Sequence, residues 1–225
     1  MKKSALIFLI FNFQFSIFNL KAQFIDSLRA SLERKGRFTF SFNSRNSFIT
    51  NNTADIWGFM AGVCFDRKFA IGGGVNILIS PIFKNETVDE KPVNAKLNFS
   101  YISYFIEYIF RVQKHWEIDI PLSMGAGTSS YSYSLAGSTV TQNSKFVMPV
   151  EPQVEVDYDF FRNHFGNYCF GLYVQAGYRY MLINNYSINE NFNSPTYSYG
   201  ILIFPFEIYS ALFPRTGLAH LIETD

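Results

Sequence analysis

The sequence predicts an all-β fold: an eight-stranded antiparallel up-and-down transmembrane β-barrel with a short N-terminal helix. Three observations carry that expectation. The stretch Trp116–Gly127 alternates without a break, placing Trp116, Ile118, Ile120, Leu122, Met124 and Ala126 on one face and Glu117, Asp119, Pro121, Ser123, Gly125 and Gly127 on the other. Successive side chains of a strand point to opposite faces, so this segment has one apolar and one acidic-to-tiny side. A tilted strand of about 9–11 residues spans a bilayer's hydrocarbon, and lipid outside with polar groups inside is what a membrane barrel needs. Second, the pattern recurs along the chain. Third, 19% of the residues are aromatic, with 14 Tyr and 26 Phe, a load that suits a lipid-facing wall with aromatic girdles.

The first residues read as an export signal. Lys2 and Lys3 precede an apolar run from Ala5 to Leu20, and Leu20-Lys21-Ala22 offers a small residue for cleavage before Gln23. Asn12, Gln14, Ser16 and Asn19 interrupt the run, which argues against a retained anchor, and no Cys follows the cleavage point to carry a lipid. Removing Lys2, Lys3 and Lys21 from the 19 basic residues leaves 16 against 18 acids, a net charge of −2 that gives no reason to expect nucleic-acid binding. The expected segments are a signal peptide at 1–22, a lead-in at 23–36, the barrel at 37–209 and a tail at 210–225.

The elements follow in order. Gln23–Lys35 places Ile25, Leu28 and Leu32 on one helical face, and Gly36 would end the helix. Arg37–Asn43 is the first strand, with Phe38, Phe40 and Phe42 on one side, and Ser44–Thr53 is a polar, Asn-rich loop. Ala54–Phe65 is the second strand, Asp66-Arg67-Lys68 a tight turn, and Phe69–Pro81 the third. In the third, Gly72 and Gly74 share a face with Asn76 and Ser80. Phe83–Asn94 is a long loop. Lys96–Arg111 is the fourth strand, with a slip in alternation near Ser103 that suggests a bulge.

Val112–His115 turns into the fifth strand, Trp116–Gly127, and Tyr131–Lys145 is another long loop. Phe146–Phe160 is the sixth strand, where Pro149 and Pro152 mark a bulge or a distorted end. Asn167–Leu182 is the seventh, with Tyr168 among its outward residues. Ile183–Pro195 is the last long loop and Thr196–Tyr209 the eighth strand. Long and short connections alternate, as in outer-membrane barrels with short periplasmic turns and long external loops. An even strand count leaves both termini in the periplasm. A soluble eight-strand barrel would carry its polar face outside; the long aromatic strands and the signal peptide favour the membrane.

With the polar face inward, the lumen would hold a charge network of Arg37, Glu107, Glu117, Asp119, Glu151, Glu155, Asp157 and Arg179, with Arg45 and Arg111 as further cations. Buried charges must be paired or wetted, so the network is expected to plug the barrel, and an acidic path for a cation is the alternative. No catalytic residue is expected. His115 and His164 fall in short turns and His220 in the tail, away from the outer-leaflet rim where barrel enzymes act on lipid. Their spacing matches no metal motif, Gly72-Gly73-Gly74 lacks the rest of a phosphate loop, and no cofactor is expected. Cys64 and Cys169 face inward on strands too far apart to bridge, so two free thiols are expected. The long loops are rich in Asn, Ser, Thr and Tyr, residues suited to sugars or a partner protein.

Ser44-Arg45-Asn46-Ser47-Phe48-Ile49, Glu107-Tyr108 before the Trp116–Gly127 strand, and Ile208–Pro214 together resemble a family of uncharacterised outer-membrane β-barrel proteins of Gram-negative bacteria of the Bacteroides–Flavobacterium type. The resemblance implies fold and location without an activity, with outer-membrane lipid, lipopolysaccharide and the barrel-assembly machinery as partners. The chain departs from such barrels in running on to Asp225 rather than ending on an aromatic residue. The expected role is structural or surface-interacting, through the external loops and an extracellular protein or glycan. A narrow cation or solute channel is the alternative, and a lipid-modifying enzyme the least favoured reading.

Overall fold

The computed structural model describes residues 25–34, 36–50, 52–88, 91–111, 114–135, 137–162, 168–188 and 190–213. The expected signal peptide and residues 214–225 of the expected tail lie outside the described residues, as do His164 and His220. A short helix α1, residues 25–32, leads into nine strands: β1 (Gly36–Ile49), β2 (Asn52–Phe65), β3 (Phe69–Leu78), β4 (Phe83–Val88), β5 (Lys91–Arg111), β6 (Trp116–Leu135), β7 (Ser138–Arg162), β8 (Tyr168–Ile183) and β9 (Ser194–Ile203). Helix α2 (Pro205–Leu212) follows.

Eight of the nine strands close an antiparallel ring in the order β1-β2-β3-β5-β6-β7-β8-β9, and β4 pairs with the start of β5 outside it. The ring closes where Asn46 of β1 meets Tyr197 of β9, reinforced by Ser198 Oγ donating to the Ser44 carbonyl at 3.0 Å. The chain is a transmembrane barrel. Phe38, Phe40, Phe42, Trp57, Ile71, Ile102, Leu122, Val154, Val174 and Ile201 stand exposed on the outer wall. Their alternate neighbours Arg45, Asn76, Ser103, Ser123, Glu151 and Gln175 are buried inside. Only lipid makes such an outer face favourable. Aromatic contacts mark one rim, with Trp116 against Tyr158 at 4.8 Å and Phe160 against Phe161 at 5.2 Å.

Several expected loops are strand. The segment 44–53 is the upper part of a β1–β2 hairpin whose pairing runs unbroken to Ile49↔Asn52, with Thr50 at φ 53° in its two-residue turn. Most of 83–94 forms the β4–β5 hairpin, and most of 131–145 extends β6 and β7. The eighth ring strand ends at Ile203 rather than Tyr209, because Pro205 cannot donate to a ladder and instead starts α2. The bulge expected near Ser103 is absent from the described register, which is continuous from Phe69↔Tyr108 to Ile77↔Ser100. Register does shift between Met148 and Pro149, and between Ser129 and Tyr131. Tyr168 is buried rather than lipid-facing: its hydroxyl donates to the Lys114 carbonyl at 2.5 Å and Arg162 reaches it from the rim.

Gly62 and Gly72 are register partners on the inner wall, and the Phe105 ring lies over both. A Cβ on Gly72 would sit 2.3 Å from the Ala61 carbonyl oxygen and 2.6 Å from the Phe105 ring. The glycine run is therefore a close-packing device. Gly72→Val is expected to cost about 1–3 kcal/mol by overpacking, read as a lower urea midpoint of the refolded barrel; an unchanged midpoint would mean that β2 and β3 can part there.

Candidate functional site

The lumen is filled in three layers. At the long-loop end, inward residues of five strands form an apolar core: Ile49, Ile56, Leu97, Phe99, Tyr131 and Val147, all buried. The segment between β8 and β9 closes it from above. Phe192 is fully buried and stacks on Phe99 at 4.8 Å, and Ile188 is 2% exposed. Asn185 pins the crossing, its amide donating to the Asn143 carbonyl at 2.7 Å and the Ser129 carbonyl at 3.0 Å. Thr50 N–H donates to the Asn191 carbonyl at 2.9 Å, and the Tyr131 hydroxyl donates to Glu190 at 2.6 Å. The last of the long loops expected to face partners is thus an internal lid held from the β1–β2 turn and from β5, β6 and β7.

Below the apolar core lies a buried ionic layer. Glu151 on β7 sits between Arg45 on β1 and Arg179 on β8. Arg179 Nε donates to Glu151 Oε1 at 2.7 Å, the Tyr101 hydroxyl donates to the same oxygen at 2.9 Å, and Arg45 Nη1 donates to Oε2. Arg45 also donates to Asn76, whose amide donates to Ser103 Oγ at 2.8 Å. Arg179, Glu151 and Arg45 are 0%, 1% and 3% exposed. Gly58 makes room: a Cβ there would lie 2.5 Å from Asn43 Oδ1 and 2.8 Å from Asn76 Oδ1. Two guanidinium groups on one carboxylate leave this layer with surplus positive charge.

The third layer, toward the short turns, is acidic. Asp119 and Glu155 are direct register partners on β6 and β7, and Asp157 follows two residues on along the same face. One carboxylate oxygen from each of the three lies within 4.8 Å of the others. Glu107 on β5 comes within side-chain hydrogen-bond range of Asp119, and Gln175 donates to Glu155 at 2.7 Å. At the rim, Glu117 takes the Arg111 guanidinium rather than joining the cluster.

The eight charged residues expected to form one network therefore fall into separate groups. Glu151 and Arg179 meet, joined by Arg45; Glu107, Asp119, Glu155 and Asp157 gather lower down; Glu117 stands apart; and the side chain of Arg37 lies outside the described residues. The uncharged members Tyr101, Asn76 and Ser103 escaped sequence reading. Asn76 does sit on the polar phase of β3, but Tyr101 and Ser103 share their phase of β5 with Ala95, Leu97, Phe99 and Phe105, so alternation did not mark them as polar-layer residues. His115 braces the turn, its Nδ1 lying 2.8 Å from the Asp159 carbonyl oxygen and 3.1 Å from the Tyr168 hydroxyl. Cys64 and Cys169 are not in a disulfide.

Beyond the membrane band the wall does not end. β6 has 20 residues and β7 has 25, about twice what crosses the hydrocarbon. Their pairing continues to Leu135↔Ser138, and β4 adds to β5 beside them through Val88↔Lys91. The pairing of β7 with β8 stops at Met148↔Ile183, so residues 138–147 pair with β6 alone among the described residues. β4 is likewise the last strand on its side. The result is a small projecting sheet whose outer edge on each flank has no strand partner among the described residues.

No protein-family model matches the chain, and no curated protein sequence matches it. Solved barrels of similar fold exist. Neisserial surface protein A aligns over 76% of this chain and 99% of its own, at 14% identity and a TM-score of 0.52. Ail of Yersinia pestis, solved with the heparin analogue sucrose octasulfate, aligns over 74% of this chain and 97% of its own at 14% identity and a TM-score of 0.45. The N-terminal β-barrel domain of Pseudomonas aeruginosa OprF aligns over 74% and 97%, at 11% identity and a TM-score of 0.39. The first of these shows the eight-stranded barrel fold; the Bacteroides–Flavobacterium affiliation finds no support in these matches.

Proposed function

We propose that the chain is an outer-membrane surface protein without catalysis, and that it works through the sheet its strands build outside the bilayer. Residues 1–22 are its signal peptide, 23–36 its periplasmic lead-in and 210–225 its periplasmic tail, with lipopolysaccharide against the outer wall. The barrel-assembly machinery inserts it. The observation that supports this reading is the continuation of β5, β6 and β7, with β4, past the membrane-spanning length. An unpaired strand edge offers a row of N–H and C=O groups on which an extended polypeptide can add, and soluble proteins rarely leave such an edge open. The polar, Tyr-bearing faces of the same hairpins also suit a glycan.

The test replaces residues 134–139 with Asn-Gly, which shortens the β6–β7 hairpin while keeping the Tyr133↔Val140 pair that packs on the apolar core. Cells exporting the full chain are expected to adhere to at least one immobilised extracellular-matrix polypeptide or glycan above empty-vector cells. The shortened variant, still heat-modifiable on gels and so still a barrel, is expected to lose that adherence. Adherence equal to the empty vector, or unchanged by the truncation, would overturn the reading.

A further inference from the structure

We infer that Asp119, Glu155 and Asp157 bind a calcium ion inside the barrel. Like charges placed directly opposite on neighbouring strands repel, and Asp119↔Glu155 is such a pair, with Asp157 and Glu107 close by. Among the described contacts the cluster receives one amide, from Gln175. Among the described residues, the lumen arginines are salt-bridged elsewhere: Arg45 and Arg179 hold Glu151, and Arg111 holds Glu117. A second observation points to a ligand. Asp119 and Asp157 are 4% and 6% exposed, yet Asp119 Oδ1 and Asp157 Oδ1 each lack a hydrogen-bond partner. A buried carboxylate oxygen left bare costs free energy unless something positive sits against it.

The donor chemistry selects the ion. All the available ligand atoms are oxygen, which suits hard cations rather than zinc or copper. Oxygens sharing one Ca²⁺ at 2.3–2.6 Å can stand at most about 5 Å apart, whereas those sharing Mg²⁺ at 2.0–2.1 Å can stand only about 4 Å apart. The three oxygens lie within 4.8 Å of one another, inside the reach of one Ca²⁺, and an all-carboxylate set without ideal octahedral geometry suits the more adaptable ion. Glu155 is only half-buried, which leaves the cluster a side open to solvent and room for the waters that complete the shell.

The experiment uses the refolded full mature chain in detergent, free of lipopolysaccharide, with Tb³⁺ as the probe. Tyr173, the register partner of Asp157 and itself buried in the lumen, can sensitise its luminescence. Tb³⁺ luminescence is expected in the wild type, displaced by Ca²⁺ more readily than by Mg²⁺, and Ca²⁺ is expected to raise the unfolding temperature. Asp119→Asn with Asp157→Asn is expected to weaken binding on the order of tenfold or more and to abolish the Ca²⁺-dependent shift, while unfolding later than the wild type in chelator. Should that double variant fail to refold, Glu155→Gln reads the same loss, and Glu117→Gln at the rim should leave binding intact. A folded wild type with neither luminescence nor a Ca²⁺ shift would overturn the inference, leaving carboxyls that share protons. Luminescence that survives in the double variant would also overturn it, placing the ion elsewhere.

Discussion

Glu151→Gln is expected to destabilise the barrel by about 3–5 kcal/mol, the cost of removing the one anion from a buried ionic layer. Arg45 and Arg179 would then face each other through an amide that can accept but no longer carries charge, with both guanidinium groups at most 3% exposed. The amide oxygen can keep Arg179 and Tyr101, but the NH2 would then face Arg45 Nη1 donor to donor, so the variant loses a hydrogen bond as well as the charge. The check is the urea midpoint of the refolded protein, followed by gel mobility of unboiled samples. The converse variant, Arg45→Met with Glu151→Met and Arg179→Met, separates two meanings of the layer. Because desolvating ions is costly, an apolar replacement of similar volume is expected to be neutral or more stable. If Glu151→Gln left the midpoint unchanged, water would have to reach the arginines and the layer would not be a seal.

Most of the barrel was legible because a membrane enforces the alternation it needs. Trp116–Gly127 reads as one strand on sight, and the outward residues of β6 and β7 are the ones periodicity assigns. What escaped lies where that constraint lapses. Residues 138–146 have exposed side chains on both faces, so they carry no apolar phase, and Ser138-Thr139-Val140-Thr141 looks like a loop although its β-branched residues suit a strand in water. The same lapse hid the layering of the lumen. Counting polar residues on the inner face predicts one charged core, but the inner face above Tyr101 is Phe99, Leu97 and Ala95, an apolar run on the phase expected to be polar. Glu151 and Arg179 were visible as charges; their partnership was not, because it depends on the β7–β8 register, and a two-residue slip would keep the same alternation while separating them.

Phe192→Ala is expected to release the lid rather than the barrel. The ring is fully buried against Phe99, and truncating a buried Phe typically costs about 3–5 kcal/mol. That energy is held by the β8–β9 crossing, while the wall is held by ladders the ring does not touch, so the cost appears as local opening. Tyr186 is 87% exposed at the crossing but its flanks are tied down by Asn185 and Asn191, so chymotrypsin should cut there slowly in the wild type. A penalty of about 3 kcal/mol corresponds to roughly a hundredfold larger open population and a comparably faster cut. The urea midpoint of the barrel should move far less than it does in Glu151→Gln. In planar bilayers the wild type is expected to pass no current, and Phe192→Ala none either, because the Arg45–Glu151–Arg179 layer still crosses the lumen beneath the vacated core. Current from Phe192→Ala would mean that the aromatic lid is the only barrier and would return the lumen to candidacy as a path. Equal cleavage in the two proteins would mean that the polar ties of Asn185 and Asn191 hold the crossing without the ring.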